Sequence, residues 1–150
     1  MELRPGVFTH LAAEINREGQ LKARTALTQL ALAIERQAKI NSGVGSHKRG
    51  TPTPARPGTG PAVISGTLRR SLTHTPVIFV AGGWETKVGT GAGFTPPYGR
   101  TPSSRYGLYL ETGLRNGATY PFLGPAFRFG VTHVAPMLYR RVFAGPWPRV

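Results

Sequence analysis

Few residues of this chain could do acid–base or metal chemistry, and every carboxylate among them is a glutamate. The sequence holds six acidic residues, none of them aspartate, against nineteen lysines and arginines. One of the six, Glu111, lies within the apolar stretch RYGLYLETGLRNGATYPFLGPAF, residues 105–127. A carboxylate in such a segment has three candidate roles: a catalytic acid, a metal ligand, or an anchor for an ion pair or hydrogen bonds.

The spacing of these groups argues against catalysis. Paired-carboxylate and two-metal sites need convergent acidic residues, and only Glu85 and Glu111 fall near the predicted sheet. A Ser71–His74 pair has no nucleophile elbow and no third partner. The four histidines show no metal-ligand spacing; they are His10, His47, His74 and His133. We therefore expect no enzymatic activity, no metal site and no cofactor.

Two further kinds of site are also disfavoured. The segment VGTGAG, residues 88–93, lacks the GxGxxG spacing and the Walker lysine, and it leads into FTPP rather than a helix. The chain contains no cysteine, which excludes disulfides and thiolate metal sites. Phosphate binding by a glycine-rich loop is not expected.

The charge of the chain is strongly basic and unevenly distributed. The formal net charge is +13 at neutral pH. Seven basic residues and no acidic one lie from Arg36 to Arg70, and five more basic residues follow Glu111 without an acidic one. Such a field suits a chain that works against an acidic surface: DNA, RNA, an anionic membrane or an acidic protein.

Length and hydropathy predict one domain over residues 1–150. The first ten residues, MELRPGVFTH, lack the apolar stretch of a signal peptide, and no segment approaches the roughly 18 apolar residues of a membrane span. We expect a protein made in the cytoplasm that does not enter a membrane.

Apolar periodicity places these residues on an α+β fold. Residues 7–40 have helical spacing, with Gly19 as a candidate bend and Asn41 or Gly43 as a candidate left-handed cap. A short helical turn capped by Ser65 or Thr67 precedes a β-hairpin that turns at Gly82-Gly83.

The C-terminal part of the chain completes this fold. Residues 105–113 are predicted as a third strand, followed by a C-terminal helix that Pro136 should kink. The expected architecture is a small antiparallel β-sheet flanked by a long N-terminal helix and a C-terminal helix. Two long Gly/Pro-rich segments cannot form a core and are predicted as loops or arms, residues 42–62 and 91–104. Arg56, with Lys48 and Arg49, could contact phosphates or a partner from the first arm.

Three motifs in the second half of the chain carry a resemblance to a known family. They are a Gly-x-Leu-Arg-x-Ser turn at Gly66, Leu68, Arg69 and Ser71; a Tyr-x-x-x-x-Glu-x-Gly strand end at Tyr106, Glu111 and Gly113; and a Pro-Phe-Leu-x-Pro-Ala helix start at Pro121, Phe122, Leu123, Pro125 and Ala126. In order and spacing, residues 63–143 resemble the head–tail connector or tail-completion proteins, minor tail components of the neck of long-tailed double-stranded DNA bacteriophages.

The resemblance implies a structural virion protein without enzymatic activity. It implies a homo-oligomeric ring, expected to be hexameric, between the capsid connector or stopper and the tail terminator or tail tube. Genomic DNA would pass through this ring and could touch it non-specifically. Glu111 would then anchor the strand end by an ion pair with Arg69 or Arg70, or by hydrogen bonds. The alternative is a basic, non-specific nucleic-acid-binding protein of the ribosome- or nucleoid-associated kind.

Overall fold

The computed structural model describes residues 5–43, 45, 55–91, 93–97 and 100–144, with side chains described from residue 12 onward. The protein has the α+β architecture that the sequence predicts. Its elements in chain order are α1 (Pro5–Asn41), α2 (Thr67–Ser71), β1 (Leu72–His74), β2 (Ile78–Val80), β3 (Gly83–Glu85), β4 (Val88–Thr90), α3 (Ser103–Thr112), α4 (Leu123–Phe129), a π-helical turn (Gly130–Val134) and α5 (Ala135–Phe143).

Helix α1 runs without interruption for 37 residues. Gly19 does not break it, because its neighbours on both sides are good helix formers. Only the C-terminal half of the helix enters the core, where Ala31, Ile34 and Ala38 are buried. The predicted left-handed cap is wrong: among the described residues no non-glycine has a positive φ, and Gly43 is not one of the glycines that do. The amides of Ser42 and Gly43 instead continue bonding to the last helical turn.

The four strands form two antiparallel two-stranded sheets that follow each other along one hairpin, which we call the ribbon. β1 pairs with β4, and β2 pairs with β3, both antiparallel. Between the pairs His74↔Val88 and Ile78↔Glu85, one strand has three residues and the other has two, so the ribbon carries one extra residue. Pro76 lies in the three-residue segment, where its missing N–H costs no ladder hydrogen bond. The hairpin is as predicted, with its two-residue loop at Ala81-Gly82, one position before the expected one.

The segment predicted as a third strand is a helix, so that prediction is wrong. Residues 106, 108 and 110 alternate as in a strand, but the structure buries Ser103, Gly107 and Leu110, which share one face at helical spacing, and leaves Leu108 57% exposed. Pro102 precedes the first turn in an extended conformation. The Glu-x-Gly motif therefore marks a helix end.

The C-terminal helix changes type along its length. α4 passes into the π-helical turn, and α5 begins with Pro136 near its N-terminus, where a missing N–H is tolerated. The irregularity predicted at Pro136 takes the form of a π-helical turn just before the proline. This C-terminal helix runs antiparallel to α1. Asn41 donates a side-chain hydrogen bond to the carbonyl of Phe122, and Gly130 packs on Ile34.

The core lies where α1, α3, α4 and the base of the ribbon meet. Phe122 and Leu72 are its largest fully buried side chains. Leu72 belongs to β1, and its side chain is buried. The members of the cluster are Ile34, Ala38, Leu72, Leu110, Tyr120, Phe122 and Ala126.

Candidate interaction surface

The residues of the three sequence motifs converge on one junction, at Gly107 of α3. A Cβ on Gly107 would meet the side chains of Thr90 at 3.1 Å, Leu68 at 3.4 Å and Phe122 at 3.4 Å. Helix α2, strand β4 and the start of α4 therefore all approach the backbone of α3 at this point. The motif residues therefore join elements of the core.

Glu111 is the anchor of this junction through hydrogen bonds. Its Oε1 accepts the backbone N–H of Phe122 at 2.7 Å, that of Leu123, and more weakly that of Gly124 at 3.4 Å. These amides begin α4 and have no partner within the helix. A carboxylate at this position also complements the positive end of the helix dipole. Glu111 therefore fixes the start of α4 onto the end of α3.

The expected pairing of Glu111 with Arg69 or Arg70 is not made within this chain. Among the described residues, no salt bridge joins either arginine to a carboxylate. Arg70 turns back over the α2 start and donates to the Thr67 hydroxyl at 3.4 Å, and Arg69 Nη1 lies near Gly43 at the end of α1. Both are exposed. The motif arginines point away from the junction because α2 directs its outer face toward solvent.

The remaining motif residues have backbone or packing roles. Gly66 and Gly113 adopt φ of 71° and 131°, a region that disfavours side chains, at the start of α2 and the end of α3. Gly66, rather than Ser65 or Thr67, is the N-cap residue of α2, and Ser65 Oγ weakly accepts the backbone N–H of Thr67, the first helical residue, at 3.4 Å. Ser71 is fully buried, and its hydroxyl donates to the Leu68 carbonyl at 2.7 Å. The helix-start motif provides Ala126, which is fully buried, and Pro121 and Pro125, which are partly buried.

A small cleft opens beside the first motif. It has a volume of about 270 Å³ and is lined by residues 61–69 together with Ser42, Pro96, Thr101 and Tyr106. Burial raises the pKa of the Tyr106 hydroxyl, and the nearby Tyr120 adds to this effect. Arg69 is the only charged side chain of this lining. The cleft lacks a base or a nucleophile activated by a neighbour.

A second, larger cleft is almost wholly apolar. It has a volume of about 530 Å³ and lies between α1, β4, α3 and α4. Glu111 is its only ionisable lining residue, and the carboxylate is already occupied by the α4 amides. The cleft is thus a hydrophobic recess without groups arranged for chemistry. Its other lining residues are Leu27, Leu30, Ala31, Ile34, Thr86, Val88, Leu108, Leu123, Gly124 and Phe127.

Glu35 ties the ribbon to α1 through the most buried ion pair that the structure describes. Its two oxygens lie 2.5 Å from His74 Nδ1 and 2.5 Å from Lys39 Nζ, and its side chain is 15% exposed. Burial raises the pKa of this carboxyl, but the hydrogen bonds and charges of His74 and Lys39 outweigh it and leave the pKa lowered. The sequence reasoning missed this contact because the two partners are 39 residues apart.

Ser71 and His74, considered together from the sequence, have separate partners in the structure. Ser71 Oγ donates to the Leu68 carbonyl and His74 bonds Glu35, so the two do not form a catalytic pair. No group of three His, Asp or Glu side chains in the described chain could hold a metal ion. None of the described helices is long and apolar enough to cross a membrane.

The outer surface is unusually apolar for a single subunit. Over the described residues, fifteen large hydrophobic side chains are exposed, whereas only nine hydrophobic residues are buried. Two groups stand out: the end of the ribbon, with Ile78 and Phe79 at 55% and 60% exposure, and the two exposed sides of α4 and α5, with Phe127, Met137 and Tyr139 at 58–66%. Clusters of exposed apolar side chains are a common feature of protein interaction surfaces.

The same surface carries a large excess of uncompensated arginines. The described glutamates are engaged, for example Glu18 with Lys22 and Glu85 with Lys87. Of the three arm cations proposed from the sequence, Arg56 is exposed, while Lys48 and Arg49 lie outside the described residues. The described arginines that have no carboxylate partner include Arg36, Arg56, Arg69, Arg70, Arg105, Arg115, Arg128, Arg140 and Arg141.

Comparison with known protein families, with curated proteins and with solved structures finds no match to this chain.

Proposed function

We propose that this protein is a structural component of the neck of a long-tailed bacteriophage, assembling as a homo-oligomeric ring at the head–tail junction. In the virion the ring joins the capsid connector or stopper to the tail terminator or tube and surrounds the DNA channel. It acts by binding its neighbours and has no catalytic role. The proposal rests on the motif resemblance of residues 63–143 and on the surface of the subunit.

The observation that carries the proposal is the balance between buried and exposed apolar side chains. The described subunit exposes more large hydrophobic residues than it buries hydrophobic residues of any size. Those at the ribbon end and on α4–α5 belong to different elements, so two separate patches need partners. Two unlike patches on each copy permit a head-to-tail contact, which closes into a ring when the rotation between copies is right.

The open ribbon supports the same conclusion. A two-stranded ribbon has two unpaired edges, and such edges are liabilities in a free monomer unless another chain covers them. Trp84 fastens its outer half to α1, through a 2.8 Å hydrogen bond to Gln20 and the guanidinium of Arg24 over its indole. The ribbon end is therefore presented outward, as a contact arm.

Size-exclusion chromatography with light scattering at moderate salt tests the proposal, with negative-stain images of the largest species. We expect a closed ring of several copies, present with or without DNA. A protein that stays monomeric at every concentration, and associates only when DNA is added, would instead favour the basic nucleic-acid-binding protein. The observation that supports this second function is the excess of described arginines without a carboxylate partner.

A further inference from the structure

The C-terminal helices carry a straight basic ridge on the side opposite the core. Ala126, Gly130 and Leu138 are buried and define the inner face. Arg128, Thr132, Pro136 and Arg140 follow at intervals of four residues and are all exposed, which places them on the outer face. We call these four residues, together with Arg141, the C-terminal ridge; Arg141 is exposed four residues after Met137 and therefore lies on the Met137 side of this line. At 1.5 Å per residue it is about 18 Å long.

Apolar side chains border the ridge on both sides. On one side Phe129 and Met137 are 40% and 60% exposed, and the Phe129 ring lies 5.3 Å from that of His133. On the other side Phe127, Val131 and Tyr139 are 58%, 48% and 66% exposed. The apolar side chains on both sides of the helix are suited to packing against neighbouring chains. The basic side chains would then face a third, separate partner.

The charge of the ridge is not balanced locally. Arg140 and Arg141 have no carboxylate within salt-bridge distance among the described residues, and α5 contains no acidic residue. Arg128 differs, because its Nη1 lies near Gly124, beside the Glu111 carboxylate that starts α4. In a ring, each copy would add its own ridge to the same surface, and that concentration of positive charge requires a polyanion opposite it.

We propose that the C-terminal ridge is the DNA-facing surface of the protein, with Arg140 and Arg141 as its principal phosphate contacts. The orientation of the ridge toward a channel rests on the proposed ring; the contact with DNA phosphates does not. Two arginines on an exposed helix, without amides or acidic groups aimed at base edges, neutralise phosphates but read no sequence. Duplex DNA is the occupant because its closely spaced phosphates are the dense negative charge that arginines without carboxylate partners complement.

A matched pair of double variants tests this surface. Arg140→Gln/Arg141→Gln removes the ridge charges and keeps good helix formers. Arg105→Gln/Arg115→Gln is the control: it removes two exposed arginines that also lack carboxylate partners, on α3 and the turn after it. Both variants lower the net charge from +13 by two, to +11. Circular dichroism and light scattering first establish folding and oligomeric state for each.

Binding to a labelled duplex of random sequence is then measured by fluorescence anisotropy between 50 and 300 mM salt. The slope of log affinity against log salt should fall by about 1 for each phosphate-contacting arginine removed, hence by about 2 for the ridge variant and by much less for the control. Two duplexes of unrelated sequence should give the same curves.

Several outcomes would overturn the proposal. Equal losses in the two variants would show that bulk charge, rather than the ridge, binds DNA. An unchanged slope in the ridge variant, or no binding by the unmodified protein, would exclude the ridge as a DNA surface. Poly-glutamate is the second probe: ridge-dependent binding to it without DNA binding would assign the ridge to an acidic protein neighbour. If the unmodified protein is monomeric and still binds DNA through the ridge, the proposed ring is wrong but the proposed DNA contact stands.

Discussion

For Glu111, the sequence correctly predicts an anchoring role, but the predicted arginine partner is wrong. Its apolar setting predicts that it must be compensated, and the structure compensates it with backbone N–H groups of Phe122 and Leu123 rather than with an arginine. Helix-start amides are donors that every sequence has, so composition cannot indicate them. The contact depends on α3 ending beside the start of α4, which is a tertiary feature.

Replacing Glu111 should therefore destabilise the fold. Glu111→Ala leaves the first amides of α4 without an acceptor and should cost about 1–3 kcal/mol, the range for hydrogen bonds to a charged group. Glu111→Gln keeps one oxygen acceptor and should cost less. Denaturant unfolding measures both, with Glu85→Ala, at an exposed pair, as the control. Glu111→Ala and Arg69→Ala should be additive, and a coupling beyond about 0.5 kcal/mol would restore the abandoned ion pair.

Acidification should weaken the protein through Glu35. Its pKa is lower in the folded state than the ordinary 4.5, so its contribution is present above pH 4.5 and is lost as the pH falls through the folded value. Unfolding free energies measured between pH 7 and pH 3 should fall more steeply for the unmodified protein than for Glu35→Gln. Parallel curves would show that the contact with His74 and Lys39 contributes no pH dependence.

At the scale of elements, small residues decide where helices approach each other. Gly107 lets α2, β4 and Phe122 reach the backbone of α3, and Gly130 lets the π-helical turn pack on α1. The segment 105–113 has a pattern compatible with both strand and helix, and burial of the Ser103–Gly107–Leu110 face selects the helix. The pattern alone could not select it, since the choice depends on what packs against the segment.

Gly130 allows a direct test of this close approach. A Cβ there would lie 2.4 Å from Ile34 Cγ1 and 2.9 Å from its Cδ1, and Ile34 is buried, so Gly130→Ala should destabilise the protein by about 1–3 kcal/mol despite the better helix propensity of alanine. Gly124→Ala is the control, because its Cβ would meet nothing closer than 3.4 Å. Thermal unfolding compares them. The effect should shrink in an Ile34→Ala background, and full cost there would refute the steric explanation.

At the scale of the whole molecule, the described part of the protein leaves several surfaces uncovered. Its N-terminal helix exposes every residue from 12 to 17, its ribbon has open edges, and both outer patches are apolar. The net charge of +13 adds repulsion that an isolated copy cannot relieve. Assembly against neighbours and a polyanion would resolve each of these features.

The ribbon end should therefore govern assembly without governing the fold. Ile78→Thr keeps a β-branched residue in the strand while removing an exposed apolar side chain, and it leaves Phe79 in its edge-on contact with Trp84; the protein should therefore fold normally, and the proposed ring should begin to dissociate at a higher protein concentration. Light scattering over a dilution series measures the change, and Thr73→Ser, at an exposed position of β1, is the control. Unchanged assembly would assign the ribbon end to a different partner.

By itself, the sequence determined those features of the protein that depend on the residues of one short segment. It predicts the α+β class, the long first helix and the hairpin, because apolar periodicity and the Gly82-Gly83 turn are properties of short segments. It also predicts that Glu111 must be compensated. Only the tertiary structure decided that residues 103–112 are helical, that α4 amides compensate Glu111, and that Glu35 meets His74. Each of these depends on segments distant in sequence meeting in space, and burial free energy gained there overrides the local preference.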